Sequence, residues 1–166
     1  IASPRSGWYL AQDNGGTFGA GSAYVVRMFN QNGAVQTTQL AAPATNAPGT
    51  WVHLVLTYNG ATAALYMNGA LITNNNCAYV PNVSDPFTVG ARSSLNFFWP
   101  GKVAEAAMYG TALSGTQVGA HYTAATTAPG TYATIVQGDA PLVYHRYRES
   151  SDVFAANLGT LGGAAA

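Results

Sequence analysis

"GTWVHLVLTYNGATAALYMNGALI", residues 49–72, contains two short apolar runs and two Asn-Gly pairs, and that combination decides the fold class. Read as a strand, Val52, Leu54, Leu56 and Tyr58 point one way, and Trp51, His53, Val55 and Thr57 point the other. Neither set is polar, so this strand is expected in the middle of a sandwich or beneath a covering sheet. His53 is then a satisfied, partly buried imidazole rather than a catalyst. Asn59-Gly60 and Asn68-Gly69 supply the positive φ angles that tight hairpin turns need, so the neighbouring strands are antiparallel.

The same grammar extends outward. Runs of four to eight apolar or alternating residues recur as GWYLAQ, AYVVRMFN, AVQTTQL, TWVHLVLTY, TAALYMNG, ALITN, FTVGAR and GKVAEAAMYG, separated by turn clusters such as DNGG at 13–16 and NQNG at 30–33. Many short strands between turns indicate an all-β sandwich or barrel. One stretch departs from the pattern. In ALSGTQVGAHYTAA, residues 112–125, Ser114 is a candidate N-cap and Val118 and Tyr122 stand one helical turn apart, which predicts a short helix near 114–124 that Gly115 and Gly119 weaken. TTAPGTY, residues 126–132, reads as a linker, and a closing segment begins at Tyr132.

Composition narrows the function. The chain has 166 residues, 48% of them hydrophobic, with 19 Gly and 8 Pro, as expected of a turn-rich domain with a real core. Only 7% are charged, six basic and six acidic, against about 25% in an average soluble domain. Clustered Lys and Arg are what nucleic acid and anionic membranes require, so neither is an expected partner. Low charge also removes the repulsion that keeps copies apart. Cys77 is the sole cysteine, which excludes an intrachain disulfide. No signal peptide opens the chain and no apolar run is long enough to span a bilayer, so an export signal is expected to lie outside it.

Residues 49–125 resemble the second half of a laminin-G-like domain of the concanavalin A-like jelly-roll superfamily. The resemblance rests on the Trp51-led strand, the Tyr66-Met67-Asn68-Gly69 turn, PFTVGARSS at 86–94, and FFWPGKVAEAAMYGTALSGTQVGAHYTAA at 97–125, which keeps Gly101, Glu105, Tyr109, Ala112, Leu113 and Ser114. It implies an antiparallel β-sandwich of jelly-roll type with one short helix. Ala104 stands where the family usually has an acidic residue, and the family's first strands have no counterpart before GWYLAQ.

YATIVQGDAPLVYHRYRESSDVFAANLGTLGG, residues 132–163, is similar to the opening of a further unit in tandem arrays of such domains. Asp139, Pro141, Tyr144, Arg146, Glu149 and Asn157 stand in matching positions, and His145 replaces a usual Trp. The expected organisation is therefore a jelly-roll domain over 1–128 without its first strands, then a linker and start-of-unit segment over 129–166. A sandwich lacking a strand exposes unpaired backbone groups, and Leu142, Val143, Tyr144, His145 and Tyr147 are the candidates for covering them. Covering its own sheet makes a permuted monomer. Covering the next copy's sheet makes a polymer.

Catalytic patterns are sparse. Of the six acids, Asp13, Asp85, Glu105, Asp139, Glu149 and Asp152, only Glu149 and Asp152 are close, and a separation of three puts them on opposite faces of a strand. There is no nucleophile elbow, no local acid beside His53, His121 or His145, and no zinc spacing. Calcium has candidate ligands in Asp13, Asn14 and Asp85, with turn geometry as the competing role for each. Trp8, Tyr9, Asn96, Phe97 and Trp99 are candidate contacts for a glycan or a protein partner, and one of Phe98 and Trp99 is expected in the core. The reading is a noncatalytic extracellular or cell-surface interaction module, a structural or adhesive repeat that assembles with copies of itself. The alternatives are a carbohydrate-binding lectin-like module and, more weakly, a fragment of a glycan-active enzyme. No cofactor beyond calcium is expected.

Overall fold

Asn-Gly turns and two-residue alternation build antiparallel strands throughout the first part of the chain. The structure, a computed structural model, describes residues 6–14, 22–30, 38–43, 49–91, 98–149 and 155–162. The chain divides into two compact units, Ile1–Pro86 and Phe87–Ala166. This partition follows packing, and it differs from the sequence boundary at 128/129, which concerns family units.

Unit 1 holds two three-stranded antiparallel sheets. The first is β1 (Ser6–Asn14), β2 (Ser22–Asn30) and β3 (Thr38–Pro43), with β2 central. Tyr24, Val25, Val26, Met28 and Phe29 are buried, so β2 is covered on both faces, as its continuous apolar run requires. Its one charge, Arg27, is satisfied across the ladder by Gln39 Oε1 at 3.1 and 3.0 Å from Nε and Nη2. The second sheet is β4 (Leu54–Tyr58), β5 (Thr62–Met67) and β6 (Ala70–Asn76). Ala63 and Leu65 of β5 are fully buried. The sheets meet where the Thr38 hydroxyl donates to the Asn76 carbonyl at 3.3 Å and where Cys77 Sγ lies 3.7 Å from Met28 Sδ. Cys77 is free and buried, packing as a small hydrophobe.

Turn chemistry matches the residues that signalled it. Asn68 (φ 52) and Gly69 (φ 80) both take positive φ between β5 and β6. Asn68 Oδ1 also accepts from the His53 amide at 3.0 Å while the Asn68 amide donates to the His53 carbonyl at 2.8 Å. Asn59 Oδ1 accepts from the amides of Ala61 and Thr62 at 3.0 and 2.8 Å, closing the β4–β5 hairpin.

Several expectations are corrected. β4 begins at Leu54, is half-buried along its length and lies at the edge of its sheet, and Trp51 is 67% exposed. A pattern apolar on both faces fits a partly covered edge as well as a central strand. β3 runs from Thr38 to Pro43, later than AVQTTQL, whose residues 34–37 lie outside the described residues. Residues 87–91 of FTVGAR form no strand, and Phe87 and Val89 are exposed.

Unit 2 contains β7 (Ala106–Met108), α1 (Gly115–Thr127), α2 (Tyr132–Gly138) and β8 (Val143–His145). Ser114 caps α1 in a capping box: its hydroxyl accepts from the Gln117 amide at 3.3 Å, and Gln117 Oε1 accepts from the Ser114 amide at 2.9 Å. Val118, His121 and Ala124 form its buried stripe. The helix α2 is a second helix, where the sequence reading expected only the one near 114–124. Its run Thr134-Ile135-Val136 is β-branched, and burial of Tyr132 and Val136 overrides that local preference.

Gly7 takes φ +87 on β1, its amide donates to the Val80 carbonyl at 2.9 Å, and an added Cβ would stand 2.9 Å from Asn82 Cβ. Gly7→Ala is expected to cost at least about 1–2 kcal/mol from the left-handed conformation alone, and urea unfolding with unchanged m-value checks it.

Candidate functional site

Two-residue alternation places Tyr144 and Arg146 on the same side of the chain through β8, and both reach Glu105, just before β7. β8 pairs antiparallel with β7 of its own chain, in the register Ala106↔His145, Ala107↔Tyr144, Met108↔Val143. Tyr144 is fully buried against Ala124, Tyr132 and Val136. Its hydroxyl donates to Glu105 Oε2. Arg146 Nε lies 3.2 Å from each Glu105 oxygen, and its Nη2 lies 3.1 Å from Oε1. Arg148 Nε donates to the same oxygen at 2.9 Å. One largely covered carboxylate thus holds three side chains of the closing segment.

A second tie joins the helices. His121 Nε2 lies 2.7 Å from Asp139 Oδ2, and Gln117 Nε2 donates to Asp139 Oδ1 at 2.8 Å. His121 is buried and Asp139 directly follows α2, so the pair anchors the end of α2 to α1. Its ring lies 6.1 Å from that of Tyr109 and 6.3 Å, edge-on, from that of Tyr132.

The remainder of the segment folds over β8. Asn157 Oδ1 accepts from the amides of Tyr144 and Gly159 at 2.8 and 2.9 Å, and Leu158 N donates to the Tyr144 carbonyl at 2.9 Å. A Cβ at Gly159 would run into the carbonyls of Leu142 and Pro141. Glu149 Oε1 accepts from the Ala156 amide at 3.0 Å, and hydrogen bonds from its own backbone amide and that of Ala156 hold its carboxyl below the usual range. His145 Nδ1 faces the Ala156 carbonyl at 3.1 Å, which requires the proton on that nitrogen, and its ring stacks on Tyr147 at 5.8 Å.

Electrostatics follow burial. Tyr132 is pushed up to about 12, first by burial and then by the Glu105 charge, with Arg146 opposing. Burial and the hydrogen bond to Glu105 push Tyr144 higher still, and burial also raises Tyr109.

The predicted contact residues scatter. Trp8 and Tyr9 are neighbours on β1 and point to opposite faces, so they form no shared platform; Trp8 is partly exposed and Tyr9 packs 5.9 Å from Phe29. Asn96 and Phe97 lie outside the described residues. Trp99 is half-buried while Phe98 is 70% exposed. Trp99 and Tyr147 come together instead, lining a groove of about 370 Å³ with Val89, Gly90, Gly101 and Val103. Of the strand-covering candidates, Val143, Tyr144 and His145 form β8, with Leu142 and Tyr147 flanking it.

Among the described residues no group of three or more His, Cys, Asp or Glu side chains converges. Asp13 is buried on β1, and Asn14 ends that strand, its side chain outside the description. Asp85 accepts from Asn82 Nδ2 at 2.8 Å, and Asn82 Oδ1 accepts from the amides of Ser84 and Asp85 at 2.8 and 3.1 Å, a side-chain-closed turn.

Sequence reasoning passed over the Glu105 hub and the His121–Asp139 pair. The latter spans 18 residues and shows no local pattern. Tyr-x-Arg-x-Arg from 144 to 148 was the available signal, because three donors at every second residue call for an acceptor opposite them.

Raised tyrosine values mean that above the ordinary 10.0 the unfolded chain releases protons that the folded chain keeps, so stability falls as pH rises. Alkaline unfolding is expected to begin above that value, with tyrosinate absorbance and loss of circular dichroism rising together. Tyr132→Phe is expected to flatten the decline up to pH about 12.

Comparison with known proteins bears on this arrangement. A crystallised S-layer domain-containing protein from Clostridium thermocellum matches with 18% identity over 74% of this chain and a TM-score of 0.42. The match spans 66% of that chain. No curated protein matches significantly. The laminin-G family model described as the concanavalin A-like lectin/glucanases superfamily matches residues 2–119. With that match over most of its length and with antiparallel sheets throughout unit 1, the chain belongs to the concanavalin A-like lectin/glucanases superfamily.

Proposed function

We propose that the chain is a noncatalytic extracellular or cell-surface interaction module, a structural or adhesive repeat of a larger surface protein that associates with copies of itself. The observation that carries this reading is the use of its acids. Glu105 is occupied by Tyr144, Arg146 and Arg148, Asp139 by His121 and Gln117, Glu149 by a backbone amide, and Asp85 by a turn. Glycoside hydrolysis needs a pair of carboxylates facing a sugar across a bond, and carboxylates tied into the fold serve that role poorly. Family membership and a chain in which only 7% of the residues are charged support an external, associating role.

A second reading is favoured by the groove between Trp99 and Tyr147. Two aromatic rings beside glycines offer flat apolar surface to a sugar ring, and the lining carries no charge.

Polysaccharide hydrolysis assays test the first reading. The wild type and Glu149→Gln are expected to release no more reducing ends than buffer; turnover that Glu149→Gln abolishes would overturn it. A glycan array tests the second, with Trp99→Ala expected to weaken any binding at least about tenfold, the loss of one good stacking contact. Wild-type protein that binds no glycan ends that reading.

A further inference from the structure

We infer that α2, β8 and the described residues around them, 132–149 and 155–162, form an exchangeable arm, hinged at residues 128–131, which closes over its own β7 in an isolated chain and over β7 of a second copy in an assembly. The inference rests on the interaction-module reading and specifies its partner as another copy of this chain.

The arm is a coherent piece. It comprises α2, β8 and the segment folded over them, and Asn157 and Glu149 tie its parts to one another. Among the described residues its anchors to the rest of unit 2 include Glu105, β7, and Gln117, His121 and Ala124 of α1, and Tyr147 also lines the groove with Trp99. Every one of these contacts is remade unchanged if the arm comes from another copy, and only the hinge changes shape.

The hinge itself is short and carries few ties. Ala128, Pro129, Gly130 and Thr131 join α1 to α2, held by the Thr131 amide and hydroxyl, each 2.9 Å from the Ala128 carbonyl. The α2 end has no side-chain cap. The hinge itself gives up little beyond these bonds, and the anchors broken on opening are those remade in the exchanged state. The strand being carried is left-handed at two non-glycine positions, Ala140 (φ 51) before it and Tyr147 (φ 55) after it, so its closed path is held by its anchors rather than by local preference. The occupant is favoured to be a second copy because the chain has no net charge to repel one and because another copy carries the same Glu105, Gln117 and His121 that meet the arm's side chains here. Reciprocal exchange closes a dimer, and head-to-tail exchange extends a chain.

Disulfide trapping distinguishes the two states. Met108 and Val143 are register partners, so in a Cys77→Ala background one chain carries Met108→Cys and another Val143→Cys. The two are unfolded, mixed, refolded together at high concentration and oxidised. Exchange predicts a disulfide-linked heterodimer of doubled mass as the main product, with little homodimer from either chain alone. A double variant, Met108→Cys with Val143→Cys, that closes within one chain while the mixture yields no heterodimer overturns the inference. Failure of both to form a disulfide also overturns it, because β7–β8 pairing is its basis. Deleting Pro129 and Gly130 is expected to shift the refolded wild-type sequence from single toward double mass in light scattering; unchanged mass in a folded product overturns the hinge assignment. Hydrolytic activity would sink the noncatalytic reading without altering either result, so the two failures are separable.

Discussion

Glu105 is the constraint on which unit 2 depends. A covered carboxylate is costly unless donors surround it, and removing a partner leaves that cost uncompensated. Here the donors come from Tyr144, Arg146 and Arg148, all in the closing segment, so satisfying one acid before β7 requires β8 to lie beside it. The residue itself takes φ 57, a conformation uncommon for a glutamate, which the converging donors hold in place. Tyr144 then joins the hub to the apolar cluster of Ala124, Tyr132 and Val136, so polar and apolar packing share one side chain.

Unit 1 is organised on a different principle. Its sheets are fixed by burial of β2 on both faces and by asparagines that close turns with their own side chains. Arg27 on β2 is met across the ladder by the Gln39 amide oxygen. Half of the few acids, Glu105, Asp139 and Glu149, are engaged within unit 2, where they hold the end of the chain in place.

The same allocation explains why the closing segment is more than a linker. It supplies a strand, a helix and the donors for a covered acid. A segment with so many anchors and so short a hinge favours one neighbour strongly, and the physics of its contacts does not depend on whether that neighbour belongs to the same chain.

Local chemistry made much of this legible before any coordinates. The Asn68-Gly69 turn, the apolar run of β2, the Ser114 cap and the strand at Val143–His145 all express themselves within a few residues, where backbone preference and two-residue alternation act directly. What tertiary structure alone decided lies at longer range. Trp51 stands exposed ahead of β4 rather than on it, α2 is helical because Tyr132 and Val136 find a buried site, and Trp99 shares a groove with Tyr147 because the fold brings distant loops together. Pairing of Glu105 with Tyr144 spans 39 residues and that of His121 with Asp139 spans 18, and no local pattern encodes such a match. The sequence determined the Asn-Gly turns and most of the short strands, because those energies are local; the structure decided which acid each donor meets, because that depends on where the chain has returned.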